Sequence, residues 1–278
     1  MGLKEKKQRL VGILKACDAL AVAFSGGVDS TFLLAVAKEV LGERVLAITA
    51  TSAIHSRTES LAAAEIAMTL GVAHRVVASR EMDLPEFVAN PASRCYVCKR
   101  HVMAEVVRIA AEMGIAHVAH GVNVDDLGDF RPGLKAAEEM GLLAPLVEAG
   151  LTKADIRTLS RRMGLATWNK PSMACLASRI PYGTVITPEN LRMVDDAEDF
   201  LRGLGFAGCR VRHHGAVARI ELAQRGFKKA LAAPARTEIV RRLRAIGFRY
   251  VAVDLEGYVM GSLNRALEQG VEKLRLRP

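Results

Sequence analysis

The apolar positions along the first part of this chain alternate between a strand-like and a helix-like period. Short apolar runs predict buried strands at residues 20–24, 44–50, 73–78 and 116–119. Helical spacing predicts helices at residues 31–41, 59–70, 96–113 and 152–163, the last with Thr152 as its N-cap. This alternation predicts an α/β fold, a parallel sheet with helices on both faces, whose ligands bind at the carboxyl ends of the strands.

The pattern changes after this alternation. Residues 166–188 contain three prolines and one glycine without a clean period, which predicts a long loop, and loops of that length are usually functional. Shorter helix and strand patterns follow at residues 188–204, 209–213, 217–222, 238–246 and 250–254. We therefore predict two domains, an α/β domain over residues 1–180 and a smaller α+β domain over residues 181–278.

The strongest chemical signal is the sequence Ser-Gly-Gly-Val-Asp-Ser at residues 25–30, between the first predicted strand and helix. Two adjacent glycines let backbone N–H groups approach an anion, and a helix N-terminus lies behind them. The loop lacks the lysine of the G-x-x-x-x-G-K-[ST] pattern, which disfavours kinase-like or GTPase-like chemistry. An ordinary turn capped by Asp29 and Ser30 is the alternative. We interpret the segment as a pyrophosphate-binding loop.

Composition and charge limit the classes of protein. Half of the residues are apolar and a quarter are charged, which is typical of a soluble α/β protein. No apolar run approaches the roughly 20 residues that span a bilayer, and no signal-peptide pattern is present, so we expect a cytoplasmic protein without a membrane partner. The net charge is +9, with 17 Lys and Arg against 11 Asp and Glu after residue 180. Such a surface suits RNA, an anionic nucleotide or simple solubility.

Cysteine positions suggest a second centre. An odd number of cysteines, five, without a signal peptide argues for thiols or metal ligands rather than a disulfide framework. Cys95 and Cys98 form a Cys-x-x-Cys at the predicted start of a helix, and Cys175 lies in the long loop. Three thiolates suit a metal centre. A zinc site would need a fourth ligand such as His101, and a redox pair without a metal is the other alternative.

The loop at residues 25–30 resembles the signature of the ATP pyrophosphatases, the PP-loop enzymes, which adenylate an oxygen of their substrate and release pyrophosphate. The resemblance implies ATP and Mg²⁺ as cofactors, with Asp29 helping to hold the metal ion and both loop serines touching phosphate. The nucleotide-binding residues that it implies are Ser25, Gly26, Gly27, Val28, Asp29 and Ser30, together with Gly121 and Asp125.

Residues 168–183 read Trp-Asn-Lys-Pro-Ser-Met-Ala-Cys-Leu-Ala-Ser-Arg-Ile-Pro-Tyr-Gly. With residues 123–133 and 209–214, this run is similar to the LarE family, PP-loop sulfur transferases that make pyridinium-3,5-bisthiocarboxylic acid mononucleotide for the nickel pincer cofactor of lactate racemase. The similarity extends over nearly the whole chain. It implies a pyridinium mononucleotide substrate whose carboxylates are adenylated, followed by attack of sulfur and release of AMP.

The same resemblance implies roles for individual residues. Cys175 would be a catalytic sulfur donor or, with Cys95 and Cys98, a ligand of a [4Fe-4S] cluster whose bound sulfide is transferred. Planar guanidinium groups match phosphate and carboxylate, and the candidates are Arg131, Arg179, Arg210 and Arg212. Glu198 and Glu221 match acids near a metal or phosphate site in relatives. A homo-oligomer, and hand-off of the product to the nickel-inserting enzyme, are further implications.

Two other functions stay open on the sequence alone. A tRNA-thiolating PP-loop enzyme also pairs this loop with a Cys-x-x-Cys and a third cysteine, but no RNA-binding module or zinc-ribbon spacing is recognisable. We therefore expect no nucleic-acid partner. A non-catalytic adenine-nucleotide sensor on the same fold is the other alternative, because a fold does not determine a function. In a sensor, Cys175 would be dispensable.

Overall fold

The computed structural model describes residues 1–128, 132–171, 174–259 and 261–265. The chain forms two compact units. The first contains Met1–Leu84 and Ser93–Met173, and the second contains Pro85–Ala92 and the chain from Ala174 onward. Residues 174–180 therefore group with the C-terminal part of the chain, and the division into domains at residue 180 stays a prediction.

The first unit contains a parallel sheet of four strands. Its members are β1 (Leu20–Ala23), β2 (Val45–Thr51), β3 (Ala73–Ala78) and β4 (His117–His120). Their order is β3-β2-β1-β4, and every neighbouring pair is parallel. Ala23, the last residue of β1, pairs with Ile48 of β2 and with His120 of β4. The predicted α/β sheet is confirmed, and the loop at residues 25–30 follows its central strand β1.

The described helices are numbered along the chain. They are α1 (Leu3–Lys15), α2 (Val28–Leu41), α3 (Arg57–Thr69), α4 (Pro85–Val88), α5 (Arg94–Glu112), α6 (Pro132–Glu139), α7 (Pro145–Glu148), α8 (Lys153–Arg162), α9 (Pro188–Gly203), α10 (Phe227–Leu231) and α11 (Ala235–Ile246). Thr152 caps α8 as predicted, because its side chain accepts a hydrogen bond from the Asp155 backbone N–H at 3.2 Å. Helix α1 was not predicted, because charged residues dominate it and only Leu10 and Leu14 are buried.

Helices cover both faces of the parallel sheet, as its buried strands require. On one face, Phe32 and Leu34 of α2 pack in a cluster that includes residues of α1 and α8. On the other face, Met103 and Val106 of α5 pack against Ile48 of β2. This arrangement leaves the carboxyl edge of the sheet for the loops that follow the strands.

The second unit is a smaller α+β structure. Its sheet contains β5 (Arg210–His214), β6 (Val217–Glu221) and β7 (Tyr250–Val253), with β5 antiparallel and β7 parallel to β6. Its core is formed by apolar side chains of α9, α11 and the sheet, among them Leu201, Leu243, Val211 and Ile220. A short 3-10 helix, Leu176–Arg179, directly follows Cys175.

The described helices were compared with the length and hydropathy of a membrane-spanning helix. None of the helices in the described ranges combines the length and the apolar character that a bilayer crossing requires.

Candidate functional site

The loop between β1 and α2 has the backbone shape of an anion site. Gly26 has a φ of 65°, and a Cβ at this position would lie 3.0 Å from the Cα of Ala63. Gly27 is the N-cap of α2 and provides no side-chain acceptor for the amides of the first turn. These amides and the positive end of the helix dipole are therefore directed at whatever anion enters the loop.

Two serine hydroxyls flank this loop. The Oγ atoms of Ser25 and Ser30 lie 3.1 Å apart, and the Gly27 N–H donates to Ser25 Oγ at 3.4 Å. Ser30 Oγ in turn donates to the carbonyl of Gly27 at 3.4 Å. These long bonds are the kind that a phosphate oxygen can replace, since hydroxyl groups rotate to suit their partner.

Gly121 lies beside the loop for a steric reason. It follows β4, the neighbour of β1, and a Cβ on Gly121 would lie only 2.8 Å from the backbone nitrogen of Ser30. Real Cβ contacts with backbone are longer than this, so a larger residue would displace the start of α2. The structure brings Gly121 to the loop, and its contact with a nucleotide stays a prediction.

Asp29 is the acid of the site, and the side chains of Lys153 and Asn123 contact its carboxylate. Its carboxylate forms an ion pair with Lys153 Nζ and accepts a hydrogen bond from Asn123 Nδ2 at 3.4 Å. The Lys153 backbone N–H donates to Asp125 Oδ2 at 2.8 Å, and the Asp125 N–H donates to Asn123 Oδ1 at 2.9 Å. The predicted residues Asp29 and Asp125 are therefore linked through Asn123 and Lys153, which sequence reasoning did not identify.

A second lysine reaches the loop from farther along the chain. Lys170 Nζ donates to the carbonyl of Gly26 at 2.9 Å. Arg157 fixes this segment by donating to the carbonyls of Trp168 and Lys170 at 3.1 and 3.0 Å. Lys153 and Lys170 thus place two cations beside a loop that has no lysine of its own. The signal that could have identified Lys170 was its position within the long loop that carries Cys175.

An open cavity of about 450 Å³ lies at the carboxyl end of β2. Thr51, Ser52, His55, Arg57, Ser60 and Leu61 line it. Burial lowers the pKa of His55, although the negative charge of Glu81 opposes this shift. The imidazole of His55 is therefore neutral at pH 7. The fully buried Glu81 accepts hydrogen bonds from the hydroxyls of Ser52 and Ser79. The rule that ligands bind at strand carboxyl ends could have located these polar residues.

Cys95 and Cys98 lie in the first turn of α5, one exposed and one partly buried. Their spacing of three places both thiols on one side of the helix. Next to them, burial lowers the pKa of Lys99, and burial together with the charge of Lys99 lowers the pKa of His120 to about 3. In the described residues, no three His, Cys, Asp or Glu side chains are grouped as ligands of a metal ion.

Cys175 belongs to the second unit, where its backbone is well fixed. Its carbonyl accepts from Ser178 N–H at 3.0 Å, from Ser178 Oγ at 2.8 Å and from Arg179 at 3.1 Å. Arg179 also donates to the carbonyl of Ala174 at 2.6 Å. The guanidinium is therefore attached to the main chain on both sides of the Cys175 Cα, which fixes the backbone of this residue.

The predicted arginines of the second unit lie in a buried ion-pair network. Arg179, 1% exposed, pairs in bidentate fashion with Glu198 at 2.8 and 3.0 Å. Arg212 pairs in the same way with Glu221 at 2.9 and 2.7 Å. The guanidinium of Arg210 lies 5.0 Å from the ring centre of Tyr258, and burial, together with the nearby charge of Arg179, lowers its pKa.

The network places all three arginines close to Glu198 or Glu221 and fixes their orientation. A binding role for them toward a substrate anion stays a prediction. The fourth predicted arginine, Arg131, lies outside the described residues.

Replacing Glu198 by glutamine is expected to destabilise the protein by about 3–5 kcal/mol, the cost of leaving one charge of a buried pair without its counter-charge. The change would leave Arg179 buried, while the amide oxygen could still accept from the Val211 N–H, now at 3.0 Å from Glu198 Oε1. Urea unfolding measures the effect. The matched control is Glu256→Gln, which removes a pair with Arg265 that is half exposed and should change little. Equal unfolding midpoints for both variants and wild type would contradict the expectation.

Comparison with known proteins agrees with the loop and sheet. The sequence profile of the asparagine synthase family matches residues 14–98, which include β1, the loop, α2 and β2. The chain is 38% identical to the pyridinium-3,5-bisthiocarboxylic acid mononucleotide synthase of Lactiplantibacillus plantarum, over 95% of this chain and 96% of that enzyme.

Two further relatives have a higher and a lower sequence identity to this chain. An uncharacterised protein of Synechocystis is 42% identical over 95% of this chain and 99% of its own length. The glutamine-hydrolysing GMP synthase of Aeropyrum pernix is 30% identical over 66% of this chain but only 40% of its own length.

Proposed function

The chain belongs to the LarE family, the pyridinium-3,5-bisthiocarboxylic acid mononucleotide synthases, and on this premise we propose that it is an ATP-dependent sulfur transferase acting on pyridinium-3,5-dicarboxylic acid mononucleotide. The observation that carries the proposal is the 38% identity to the named synthase across almost the full length of both chains. The product would serve the nickel pincer cofactor of lactate racemase.

The first step overcomes the low reactivity of a carboxylate, whose leaving group would otherwise be oxide. A substrate carboxylate oxygen attacks the α-phosphorus of ATP, the bond from that phosphorus to the pyrophosphate oxygen breaks, and pyrophosphate leaves. In this proposal the loop amides would stabilise the negative charge of the departing pyrophosphate, together with Lys153, which pairs with Asp29, and Lys170, which donates to the Gly26 carbonyl. Adenylation is the step that these cations favour.

Asp29 fits the role of a Mg²⁺ ligand. Its carboxylate oxygens are hard donors, and Mg²⁺ in nucleotide sites uses one or two protein carboxylates together with phosphate oxygens. When bound, the ion supplies charge neutralisation at the phosphates. The ammonium group of Lys153 forms an ion pair with Asp29, so a positive charge is already accommodated next to this carboxylate.

The second step exchanges oxygen for sulfur. A sulfur nucleophile attacks the acyl carbon of the adenylate, the bond from that carbon to the AMP oxygen breaks, and AMP leaves. We propose that Cys175 donates the sulfur: its Sγ bonds to the acyl carbon, and its own Cβ–Sγ bond then breaks by β-elimination with loss of the α-proton, which leaves dehydroalanine in the protein. The alternative is that Cys175, with Cys95 and Cys98, ligates a [4Fe-4S] cluster. The donor chemistry fits a cluster, since thiolates are its usual ligands and three of them leave one iron for sulfide.

Removal of one thiol tests the proposed cluster. Cys95→Ala is expected to lose most of the bound iron of anaerobically purified protein while ATP affinity stays within about twofold, because Cys95 lies on α5 and the loop lies between β1 and α2. Iron and acid-labile sulfide assays measure the first effect and nucleotide titration the second. Cys17→Ala, at a buried cysteine of the same unit, is the control and should keep its iron. Wild-type iron content in Cys95→Ala would refute the three-cysteine cluster.

The proposed activity is tested by incubating the protein with Mg-ATP and pyridinium-3,5-dicarboxylic acid mononucleotide and measuring thiocarboxylated product, AMP and intact protein mass. Product with loss of one sulfur from Cys175 would identify a sacrificial donor. Product with unchanged protein mass and bound iron would identify cluster-borne sulfide. ATP binding without AMP, pyrophosphate or product would overturn the proposal in favour of a nucleotide sensor.

One observation favours tRNA thiolation as a second candidate. Residues 225–249, which contain α10 and α11, carry eight Lys and Arg against one Glu. The four arginines of α11 and a fifth, three residues after the helix ends, are exposed, namely Arg236, Arg241, Arg242, Arg244 and Arg249. Phosphate backbones bind to such surfaces, with an affinity that falls steeply with salt. Thiolated nucleosides formed from unmodified tRNA, with none from the pyridinium nucleotide, would select this candidate.

The cellular context of the transferase is also a proposal. We propose a cytoplasmic enzyme without a membrane partner that assembles as a homo-oligomer and passes its product to the nickel-inserting enzyme. Each of these points is an implication of the family resemblance of the sequence. Size-exclusion chromatography with light scattering tests the assembly.

A further inference from the structure

We propose that Asn90 is a positioning residue for Cys175. It secures the turn at residues 180–184, and so limits how far the cysteine loop, residues 174–180, can move. Asn90 belongs to Pro85–Ala92, the segment that lies early in the chain but packs in the second unit. The inference rests on the proposed sulfur transfer for its catalytic consequence, whereas its structural part does not.

The first observation is the conformation of Asn90 itself. The residue is fully buried and has a φ of 58°, the one positive φ of a non-glycine residue in the described part of the chain. Asparagine tolerates this left-handed conformation better than most residues, but glycine would adopt it without cost. The backbone alone therefore does not explain an asparagine at this position.

The amide side chain provides the explanation. Asn90 Nδ2 donates to the carbonyls of Pro181 at 2.8 Å and Thr184 at 2.9 Å, with a longer contact to Ile180 at 3.4 Å. Its own carbonyl accepts from the Gly183 N–H at 2.9 Å. One buried residue thus fixes both ends of the turn at residues 180–184, and buried amides of this kind are costly to leave without partners.

The turn is directly connected to Cys175. It follows the 3-10 helix Leu176–Arg179, and Arg179 contacts the carbonyls of Ala174 and Cys175. Leu176 and Ala177, between the cysteine and the turn, are buried. The cysteine loop is therefore attached at one end by Arg179 and at the other by Asn90, and a loss at either end allows the segment to move.

Sulfur transfer needs this restraint more than adenylation does. The sulfur must reach an acyl carbon within a narrow range of distance and angle, and a displacement of about 1 Å can cost on the order of 100-fold in rate. The residues proposed for adenylation belong to the first unit, whereas Asn90 belongs to the second. Loss of the amide should thus lower sulfur transfer and leave AMP formation unchanged.

The test compares Asn90→Gly, which keeps the left-handed backbone and removes the amide, with Asn90→Asp, which keeps the shape and replaces the N–H donors by acceptors. Iodoacetamide labelling of the full-length protein, reduced and treated with a chelator, is followed at each cysteine by peptide mass spectrometry. Cys209, buried in the same unit, reports general unfolding. Leu243→Ala, which opens the core of that unit elsewhere, is the matched destabilising control.

We expect labelling of Cys175 to rise about tenfold in both Asn90 variants, the effect of one or two lost hydrogen bonds, with Cys209 unchanged. Unchanged labelling of Cys175, an equal rise at Cys209, or the same selective rise in Leu243→Ala would overturn the inference. If wild-type protein makes no thiocarboxylated product, the proposed function fails, and the labelling comparison still decides the role of Asn90.

Discussion

Cys175→Ala should retain adenylation and lose sulfur transfer by more than about 1,000-fold, the scale on which removal of a group that forms or breaks the reacting bond acts. The reason is that pyrophosphate release depends on the loop, Asp29 and the two lysines, all in the first unit, whereas the thiol acts only on the adenylate. AMP formation in the presence of the pyridinium substrate and thiocarboxylate formation, measured in the same reaction, separate the two steps.

Cys209→Ala is the matched control for this prediction, because it removes a thiol from the same unit. Burial, with the charge of Glu198 adding to it, raises the pKa of Cys209 to about 11, so this sulfur is protonated at neutral pH and a poor nucleophile. The control should transfer sulfur at a rate close to wild type. Thiocarboxylate formation by Cys175→Ala at the rate of Cys209→Ala would exclude Cys175 as donor and as cluster ligand.

Local sequence predicted the parts of the site that are local in the chain. The loop at residues 25–30 follows a strand and opens a helix. A Cβ on its first glycine would lie 3.0 Å from Ala63 Cα, and a Cβ on its second would lie 3.3 Å from Ser25 Oγ. Gly121 lies far away in sequence, and only the resemblance indicated it. Its steric reason, the backbone of Ser30, becomes visible when β4 pairs with β1.

The two lysines that contact the loop at residues 25–30 could not be predicted from the spacing of residues along the chain. Lys153 is separated from Asp29 by 124 residues, and Lys170 from Gly26 by 144. A lysine has no periodicity that distinguishes a phosphate ligand from a solvated surface residue. Only the fold, which brings the start of α8 and the following loop to the carboxyl edge of the sheet, assigns these two a place.

The arginines illustrate the opposite case. The sequence made Arg179 and Arg212 candidates for binding a substrate anion. In the structure they pair with Glu198, from another helix, and with Glu221, from a neighbouring strand. Bidentate pairing to a carboxylate and bidentate binding of a phosphate need the same side-chain geometry. Residue type alone therefore identifies a planar anion site without telling whether the anion belongs to the protein or to a ligand.

Asp29→Asn should reduce AMP formation by about 100- to 1,000-fold, the range for removing one preorganised group that stabilises developing charge. The amide keeps the size of the carboxylate and loses the charge that attracts a cation. Folding should be unaffected, because Lys153, the partner that is left, is about one-third exposed and remains solvated. Initial rates across a Mg²⁺ titration measure the effect, and a higher Mg²⁺ requirement is expected together with the lower rate.

The control for Asp29 lies at the other end of the same strand. Asp18 is an exposed acid that precedes β1, whereas Asp29 follows it, so Asp18→Asn makes the identical chemical change at the amino edge of the sheet. Parallel sheets place their ligands at the carboxyl edge, and Asp18→Asn should therefore form AMP at the wild-type rate with the wild-type Mg²⁺ requirement. If the two variants behaved alike, the acid of the loop would have no special role, and nucleotide activation would depend on the backbone amides, Lys153 and Lys170 alone.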